Sequence, residues 1–250
     1  MVNGMLARPD AVRKPVGLIP MGQSNDMARS LGLSAERIAI AIDNIAKGEA
    51  IAVDTTRVLL DHESESTLPE GEERLQYCRH MLSNTSLSMP AKIANGANTW
   101  KGCCGATSYS ISTYLQAFTC GFVQDTFQLT IDDKPHQQSG GINTALMMVN
   151  NGKYCNGGMI MNPFATINDG LLDITWIDAP DYQGTLGVSG IMSRARQGGI
   201  QAYEGHSQYI RGRKARIDVP EPEIVQPELD LADENGAAQQ NEETPEKPER

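Results

Sequence analysis

The sequence of 250 residues predicts an α/β segment followed by an all-β body. Up to Gly48, an aliphatic run, a polar loop and isoleucines at helical spacing follow one another, an order typical of α/β structure. After Gly48, short apolar stretches are separated by turns at intervals of about ten residues, which favours a β-sandwich or barrel. The predicted fold class is therefore α/β plus all-β.

The α/β segment begins with "PVGLIPMG" (15–22), which is predicted to be a buried strand that enters a glycine turn. A polar residue among 24–26 is positioned to cap a helix that begins near Met27. Isoleucines and alanines at helical spacing over 38–46 predict a second helix, and Gly48 is predicted to end it.

The all-β body contains six stretches with strand patterns, at 51–60, 74–87, 125–135, 142–151, 171–178 and 208–219. Within the third, Phe127, Leu129 and Ile131 alternate with polar residues and are followed by an Asp-Asp-Lys-Pro turn, which predicts a hairpin. One helix is predicted over 110–118, after a glycine-rich loop over 94–110.

The formal net charge of −10 is concentrated at the C-terminal end. Residues 220–250 hold ten acidic and two basic residues, which leaves 21 acidic and 19 basic residues in the remaining chain. Because the body is nearly neutral, nucleic acid is not an expected partner. The tail is rich in Pro, Glu and Gln and is predicted to be mostly disordered.

The sequence has neither a secretion signal nor an apolar run long enough for a transmembrane segment. Its five cysteines include no Cys-x-x-Cys pair, and their odd number suggests reduced thiols. These features predict an intracellular, cytoplasmic protein.

Two stretches carry the residue types of a known pair of motifs: "PVGLIPMGQSNDMARSLG" (15–32) and "NPFATINDGLLDI" (162–174). The first resembles the Pro-Leu-Gly-Thr-x-Asn-Asp loop of the diacylglycerol/sphingosine/ceramide lipid kinase superfamily. The second resembles that family's Pro-x-Ala-x-x-x-Asp-Gly-Leu-Leu-Asp signature. Between them, "AKGEAIAVDTTRV" (46–58) resembles the family's Gly-x-x-x-x-x-Asp link, so the resemblance covers about residues 1–220.

The resemblance implies a division into three parts. Residues 1–50 would be the C-terminal remnant of a Rossmann-like nucleotide domain, and residues 51–220 a β-sandwich that holds the lipid. Residues 221–250 would be the acidic tail. ATP would bind in the cleft between the first two parts.

By this resemblance, the nucleotide site is lined by Gly22, Gln23, Ser24, Asn25 and Asp26. Gln23 stands where the family usually has Thr or Ser. A glycine turn lets backbone N–H groups approach phosphates, which fits this role. The alternative is an ordinary loop in which an Asn or Asp caps a helix.

Resemblance to bacterial members also implies a bound Mg²⁺ near Asp169, with the backbone carbonyls of Thr166 and Leu171 as further ligands. Oxygen ligands of this kind suit a hard cation. A tight Asn-Asp-Gly turn over 168–170 is the alternative, and the two can coexist.

Two family motifs have no counterpart here. The family's Gly-Gly-Asp-Gly-Thr motif is absent, and "MVNGML" (1–6) resembles the end of the helix that follows it, so the chain is expected to begin just after that loop. Near the C-terminus the family has Asp-Gly-Glu. Here Glu228, Asp230 or Asp233 would have to substitute, and the catalytic residues stay unassigned.

The function implied is an ATP-dependent lipid kinase that phosphorylates a hydroxyl of a diacylglycerol, sphingoid base or ceramide type of lipid. One alternative is a catalytically inactive lipid-binding or regulatory member of the same family. A third hypothesis is a scaffold or regulatory protein whose acidic tail contacts a basic partner. The substrate implies peripheral contact with a membrane surface. A dimer or protein partner is expected to cover the incomplete sheet of residues 1–50.

Overall fold

The structure is a computed structural model, and it describes residues 2–8, 14–22, 24–104, 111–112, 125–136, 140–155, 157–178, 190, 193, 195–199 and 207–219. Met1–Pro220 forms one compact unit. The tail predicted over 221–250 lies outside the described residues, so its disorder stays a prediction.

Five α-helices are present in the described part of the chain. They are α1 (Val2–Leu6), α2 (Asp26–Ser30), α3 (Ile38–Lys47), α4 (Arg74–Tyr77) and α5 (Met89–Cys104). Short 3-10 turns occur at Ala35–Arg37, Glu65–Thr67 and Gly71–Glu73.

Eleven β-strands are found among the described residues. They are β1 (Thr56–Leu59), β2 (Cys78–Met81), β3 (Asn84–Ser88), β4 (Asp125–Ile131), β5 (Lys134–Pro135), β6 (Ile142–Asn150), β7 (Tyr154–Cys155), β8 (Met159–Ile160), β9 (Leu172–Asp178), β10 (Ser207–Gly212) and β11 (Ala215–Asp218). All the strand pairs that they form are antiparallel.

The main sheet has seven strands and curls back on itself. Its order is β10-β9-β6-β4-β11, with β3 also paired to β6 and β5 to β4. Strand β4 pairs with β6 through residues 125–127 and with β11 through residues 128–131. Because β10 and β11 are joined by only two residues yet lie at opposite ends of this order, the sheet has to curl.

Strand β6 lies at the centre of the core and is buried on both faces. Leu146 and Met148 pack into one apolar cluster, whereas Met147 and Val149 pack into another with Trp176. Successive side chains of a strand point to opposite faces, so a strand buried on both faces needs a continuous apolar run. This explains why residues 145–149 contain no polar side chain.

Several predictions from the sequence are confirmed. The class is α/β plus all-β, since three helices precede a largely antiparallel sheet. Helix α3 ends at Gly48, which has a left-handed backbone with φ 71°. The predicted hairpin is formed by β4 and β5, and its turn residues Asp132 and Asp133 both have positive φ, as this type of turn requires.

Other predictions are wrong. Residues 14–20 form no strand, and Val16 and Ile19 are largely exposed. The glycine-rich stretch over 94–110 is helical as far as Cys104, because α5 buries Ile93 and Ala97 one turn apart against the sheet. Most of the helix predicted over 110–118 lies outside the described residues.

The apolar side chains before Gly48 are less buried than those of the sheet. Residues 14–20 approach α3 closely, since a Cβ at Gly17 would lie 2.8 Å from Ile45 Cδ1. Among the described residues before Gly48, five aliphatic side chains are between 42% and 51% exposed: Val16, Ile19, Ile40, Ile42 and Ile45. A dimer or protein partner over this surface stays a prediction.

The two glycines before β6 provide a stability test. Gly140 and Gly141 both have positive φ, at 86° and 82°, but only a Cβ at Gly141 would meet other atoms, 2.9 Å from the Phe127 backbone oxygen. Gly140→Ala is expected to cost about 1 kcal/mol of unfolding free energy through backbone strain alone, and Gly141→Ala about 2–4 kcal/mol. Urea unfolding measures both, and equal losses would contradict the packing argument.

Candidate functional site

The first motif forms a loop that Asn25 closes with its own side chain. Asn25 Oδ1 accepts a hydrogen bond from the Gly22 N–H at 2.8 Å, and Asn25 Nδ2 donates to the Gly22 backbone oxygen at 2.7 Å. Asn25 occupies the N-cap position of α2 with a left-handed backbone, but its side chain makes no capping hydrogen bond. Its amide therefore fixes the loop instead. Gln23 lies outside the described residues.

Helix α2 packs closely against the segment that carries β7 and β8. The carboxylate oxygen Asp26 Oδ1 accepts hydrogen bonds from the backbone N–H of Gly158 at 2.9 Å and of Gly157 at 3.1 Å. A Cβ at Gly152 would lie 2.8 Å from Ser30 Oγ. The approach of the first motif to this segment therefore depends on glycine.

This contact is partly buried, and the burial shifts two titratable groups. Burial raises the pKa of the Asp26 carboxyl, against the opposing effect of the N–H groups of Gly157 and Gly158 and the charge of Arg29. Burial, followed by the nearby charge of Asp26, also raises the pKa of the Cys155 thiol. Both effects favour the neutral form of the Cys155 thiol over the thiolate.

Asp54, the last residue of the Gly-x-x-x-x-x-Asp link, is bonded to two distant segments. Its backbone N–H donates to the Ile167 oxygen at 2.8 Å, and its carboxylate oxygen Oδ2 accepts from the Gly170 N–H at 2.6 Å. Its backbone oxygen accepts from Asn151 Nδ2 at 3.0 Å. The link is thereby attached both to the second motif and to the end of β6.

Asn151 extends this junction into the body of the protein. Its side chain is buried, and Nδ2 also donates to the Leu82 backbone oxygen at 3.0 Å. Its own N–H donates to the Ser83 oxygen at 2.7 Å. The Asn151 side chain thus holds the turn between β2 and β3 against the link residue Asp54.

The predicted metal ligands Thr166, Asp169 and Leu171 lie together in the loop before β9. Asp169 Oδ1 accepts the Leu171 N–H at 3.0 Å, as in a tight turn, and Oδ2 accepts from Arg211 Nη2 at 2.6 Å. Among the described residues, no group of three or more His, Cys, Asp or Glu side chains is arranged so that it could hold a metal ion. The donor set therefore consists of one carboxylate and two backbone carbonyls, which fits a hard cation, although Arg211 already engages that carboxylate.

Arg211 belongs to a charged cluster that the sequence analysis missed. Its Nε donates to Asp173 Oδ1 at 2.8 Å, and the Tyr209 hydroxyl makes a short hydrogen bond to the same oxygen. Burial, followed by this hydrogen bond to the carboxylate, raises the pKa of the Tyr209 phenol. Arg211 and Asp173 are opposite one another in the β10–β9 pairing, a relation that becomes visible only once the register is known.

The structure attaches the two motifs to other parts of the chain through separate contacts. Asp26 contacts the β7–β8 turn, and Gly170 of the second motif contacts Asp54. No described hydrogen bond joins the loop 22–26 directly to Asp169. Within the described residues, no helix is long and apolar enough to cross a bilayer.

Two known domains match this sequence in succession. The diacylglycerol kinase catalytic domain matches residues 1–58. The YegS C-terminal NAD kinase beta sandwich-like domain matches residues 84–226, which is more than half of the chain.

Curated relatives show modest identity. A protein described as "Probable lipid kinase YegS-like" from Pectobacterium atrosepticum is 27% identical over 182 residues, which cover 71% of this chain and 52% of that protein. A protein of the same description from Yersinia enterocolitica is 25% identical over 186 residues, which cover 74% of this chain and 55% of that protein. The chain therefore spans about half the length of the curated relatives it matches.

A solved structure shares the fold. A diacylglycerol kinase from Bacillus anthracis str. Sterne superimposes with a TM-score of 0.54 at 18% sequence identity, covering 88% of this chain and 61% of that chain. Together with the two domain matches, this likeness accounts for the change from helices to an antiparallel sheet after Gly48. The chain belongs to the lipid kinase family that pairs a diacylglycerol kinase catalytic domain with a YegS C-terminal NAD kinase beta sandwich-like domain.

Proposed function

We propose that the protein acts as an ATP-dependent lipid kinase that transfers a phosphoryl group to a hydroxyl of a diacylglycerol, sphingoid base or ceramide type of lipid. The observation that carries the proposal is the packing of α2, the helix within the first motif, against Gly157 and Gly158. This packing holds the loop 22–26 beside the β-sheet body. It supports a nucleotide site between residues 1–50 and residues 51–220, the two domains we propose.

Within this proposal, Gly22, Gln23, Ser24, Asn25 and Asp26 form one wall of the ATP site. Phosphoryl transfer depends mainly on positioning and charge stabilisation, so a loop of fixed shape suits it. The bonds between Asn25 and Gly22 supply that shape without a ligand. Asp26 acts by attaching the loop to the body, because its carboxylate is already bonded to backbone N–H groups.

Thr166, Asp169 and Leu171 would hold Mg²⁺. The chemistry that the bound ion supplies there is neutralisation of negative charge on the loop before β9. The chain's own residues already define the shape of this loop, since Asp54 binds Gly170 and Asp169 binds the Leu171 N–H.

The lipid acceptor implies that the protein works at a membrane surface as a peripheral, cytoplasmic protein. An inactive lipid-binding or regulatory member of the family is the second candidate function. Support for it comes from the loop residue Asp26, whose carboxylate is occupied by the body of the protein. The two candidates differ in ATP turnover.

The kinase proposal predicts transfer of the γ-phosphate of radiolabelled ATP to lipid in vesicles of phosphatidylcholine containing diacylglycerol, sphingosine or ceramide. Asn25→Ala removes both bonds to Gly22 and is expected to raise the KM for ATP about tenfold. Asp43→Ala, an exposed change in α3, is the matched control and should leave the KM unchanged. Vesicle binding without phosphate transfer to any lipid would support the inactive member instead.

The junction at Asp54 predicts a specific stability loss. Asp54→Ala removes the charge-assisted bond to the Gly170 N–H and is expected to lower the free energy of unfolding by about 2 kcal/mol. Asp43→Ala removes an exposed carboxylate that pairs with Lys47 four residues later, and it should cost no more than about 0.5 kcal/mol. Denaturant titration of both variants measures the difference, and equal effects would argue against the junction.

The raised pKa of Asp26 predicts a pH dependence. A carboxyl whose pKa is higher in the folded protein favours folding when protonated, so its stabilising effect is complete below the ordinary Asp pKa. It is lost as the pH rises through the raised folded value. Asp26→Asn does not titrate, so its thermal midpoint should fall less than that of the wild type across this window. Parallel curves for the two proteins would contradict the assignment.

A further inference from the structure

Arg211 bridges two carboxylates of the second motif, Asp169 in the loop before β9 and Asp173 on β9 itself. Its Nη2 lies 2.6 Å from Asp169 Oδ2, and its Nε lies 2.8 Å from Asp173 Oδ1. Nη2 also approaches the Phe164 backbone oxygen at 3.5 Å. The guanidinium on β10 therefore attaches the loop before β9 to the sheet, in addition to the bonds that Asp54 makes to Ile167 and Gly170.

The two ends of this bridge differ in burial. Asp173 is fully buried, whereas the side chain of Asp169 is 25% exposed. Asp173 Oδ1 is further held by the Tyr209 hydroxyl, so the bond between Arg211 Nε and Asp173 is the anchored one. The bond between Arg211 Nη2 and Asp169 is the one that solvent reaches.

The cluster carries more negative than positive charge. Arg211 is shared between Asp169 and Asp173, and Asp173 Oδ2 is buried without a hydrogen-bond partner in the described part of the chain. Asp54, bonded to the Gly170 N–H beside Asp169, adds a further carboxylate. Charge balance thus favours a second cation near this loop.

A divalent cation and Arg211 would need the same atoms. Mg²⁺ and Ca²⁺ bind carboxylate oxygens at about 2.0–2.6 Å, and Asp169 is the only carboxylate in the proposed ligand set. Its Oδ1 accepts the Leu171 N–H, and its Oδ2 is bonded to the guanidinium. Two cations on one carboxylate also repel each other.

We propose that Arg211 and a divalent cation compete for Asp169. In the cation-free protein, Arg211 Nη2 is bonded to Asp169 Oδ2 and so holds the loop before β9 against β10. Cation binding releases Nη2 from Asp169 while Nε stays on Asp173, so the buried carboxylate keeps its counter-ion. Arg211 is therefore a positioning residue that sets the cation affinity of the loop, and this inference rests on the magnesium site of the proposed function.

Calorimetric titration of the full chain with Mn²⁺ and Mg²⁺ tests the competition. Arg211→Gln, which keeps a donor for Asp173 but removes the charge, is expected to bind both ions at least about tenfold more tightly than the wild type. Lys214→Gln is the matched control, since Lys214 pairs with Asp133 and its loss should leave the affinity unchanged. Adding Asp169→Asn to Arg211→Gln should abolish the gain.

A second measurement does not depend on a folded variant. In wild-type protein, the ¹H–¹⁵N NMR signals of the Arg211 guanidinium should shift during Mg²⁺ titration with the midpoint found by calorimetry. Unchanged guanidinium signals while Mg²⁺ binds would overturn the proposal, as would equal or weaker binding by folded Arg211→Gln.

Phosphate transfer separates this inference from the proposed function. An Arg211→Gln protein that transfers phosphate to lipid but binds Mn²⁺ no more tightly overturns the competition and leaves the kinase intact. Tighter binding of Mn²⁺ without phosphate transfer by any variant, wild type included, supports the competition and counts against the kinase.

Discussion

The attachment of Asp54 to two other segments is the constraint on which the arrangement of the site depends. Its backbone and carboxylate hold the second motif at Ile167 and Gly170, and its backbone oxygen holds Asn151 at the end of β6. Because β6 is buried on both faces, it cannot move without disrupting two apolar clusters. The link residue therefore transfers the rigidity of the core to an otherwise irregular loop.

The contact between α2 and the β7–β8 turn also joins two distant segments, and it carries an electrostatic cost. Asp26 receives two N–H hydrogen bonds, yet burial still raises the pKa of its carboxyl. Burying a polar group in part costs free energy, and its hydrogen bonds can offset this cost by fixing one arrangement of two segments. Gly152 makes room for this arrangement, since a Cβ there would lie 2.8 Å from Ser30 Oγ.

Much of the sheet was predictable because its patterns are local. The alternation at Phe127, Leu129 and Ile131 and the apolar run over 145–149 in β6 both follow from the two-residue period of a strand, buried on one face or on both. The prediction of a strand over 15–22 failed for a tertiary reason. An aliphatic stretch becomes a strand only where a partner strand pairs with it, and none of the described strands pairs with this one. The prediction of a glycine-rich loop failed over 94–104, because the packing of Ile93 and Ala97 outweighs the weak helix propensity of this stretch.

The sequence by itself determined the fold class, the family motifs and the candidate residues 22–26 and 166–171, because these depend on residue types at short spacing. Only the tertiary structure decided what those residues contact. Asp26 is bonded to a turn more than one hundred residues away, and Asp169 is paired with Arg211 on another strand. Such contacts are set by strand register and sheet curl, which bring distant residues together through packing that no local pattern records.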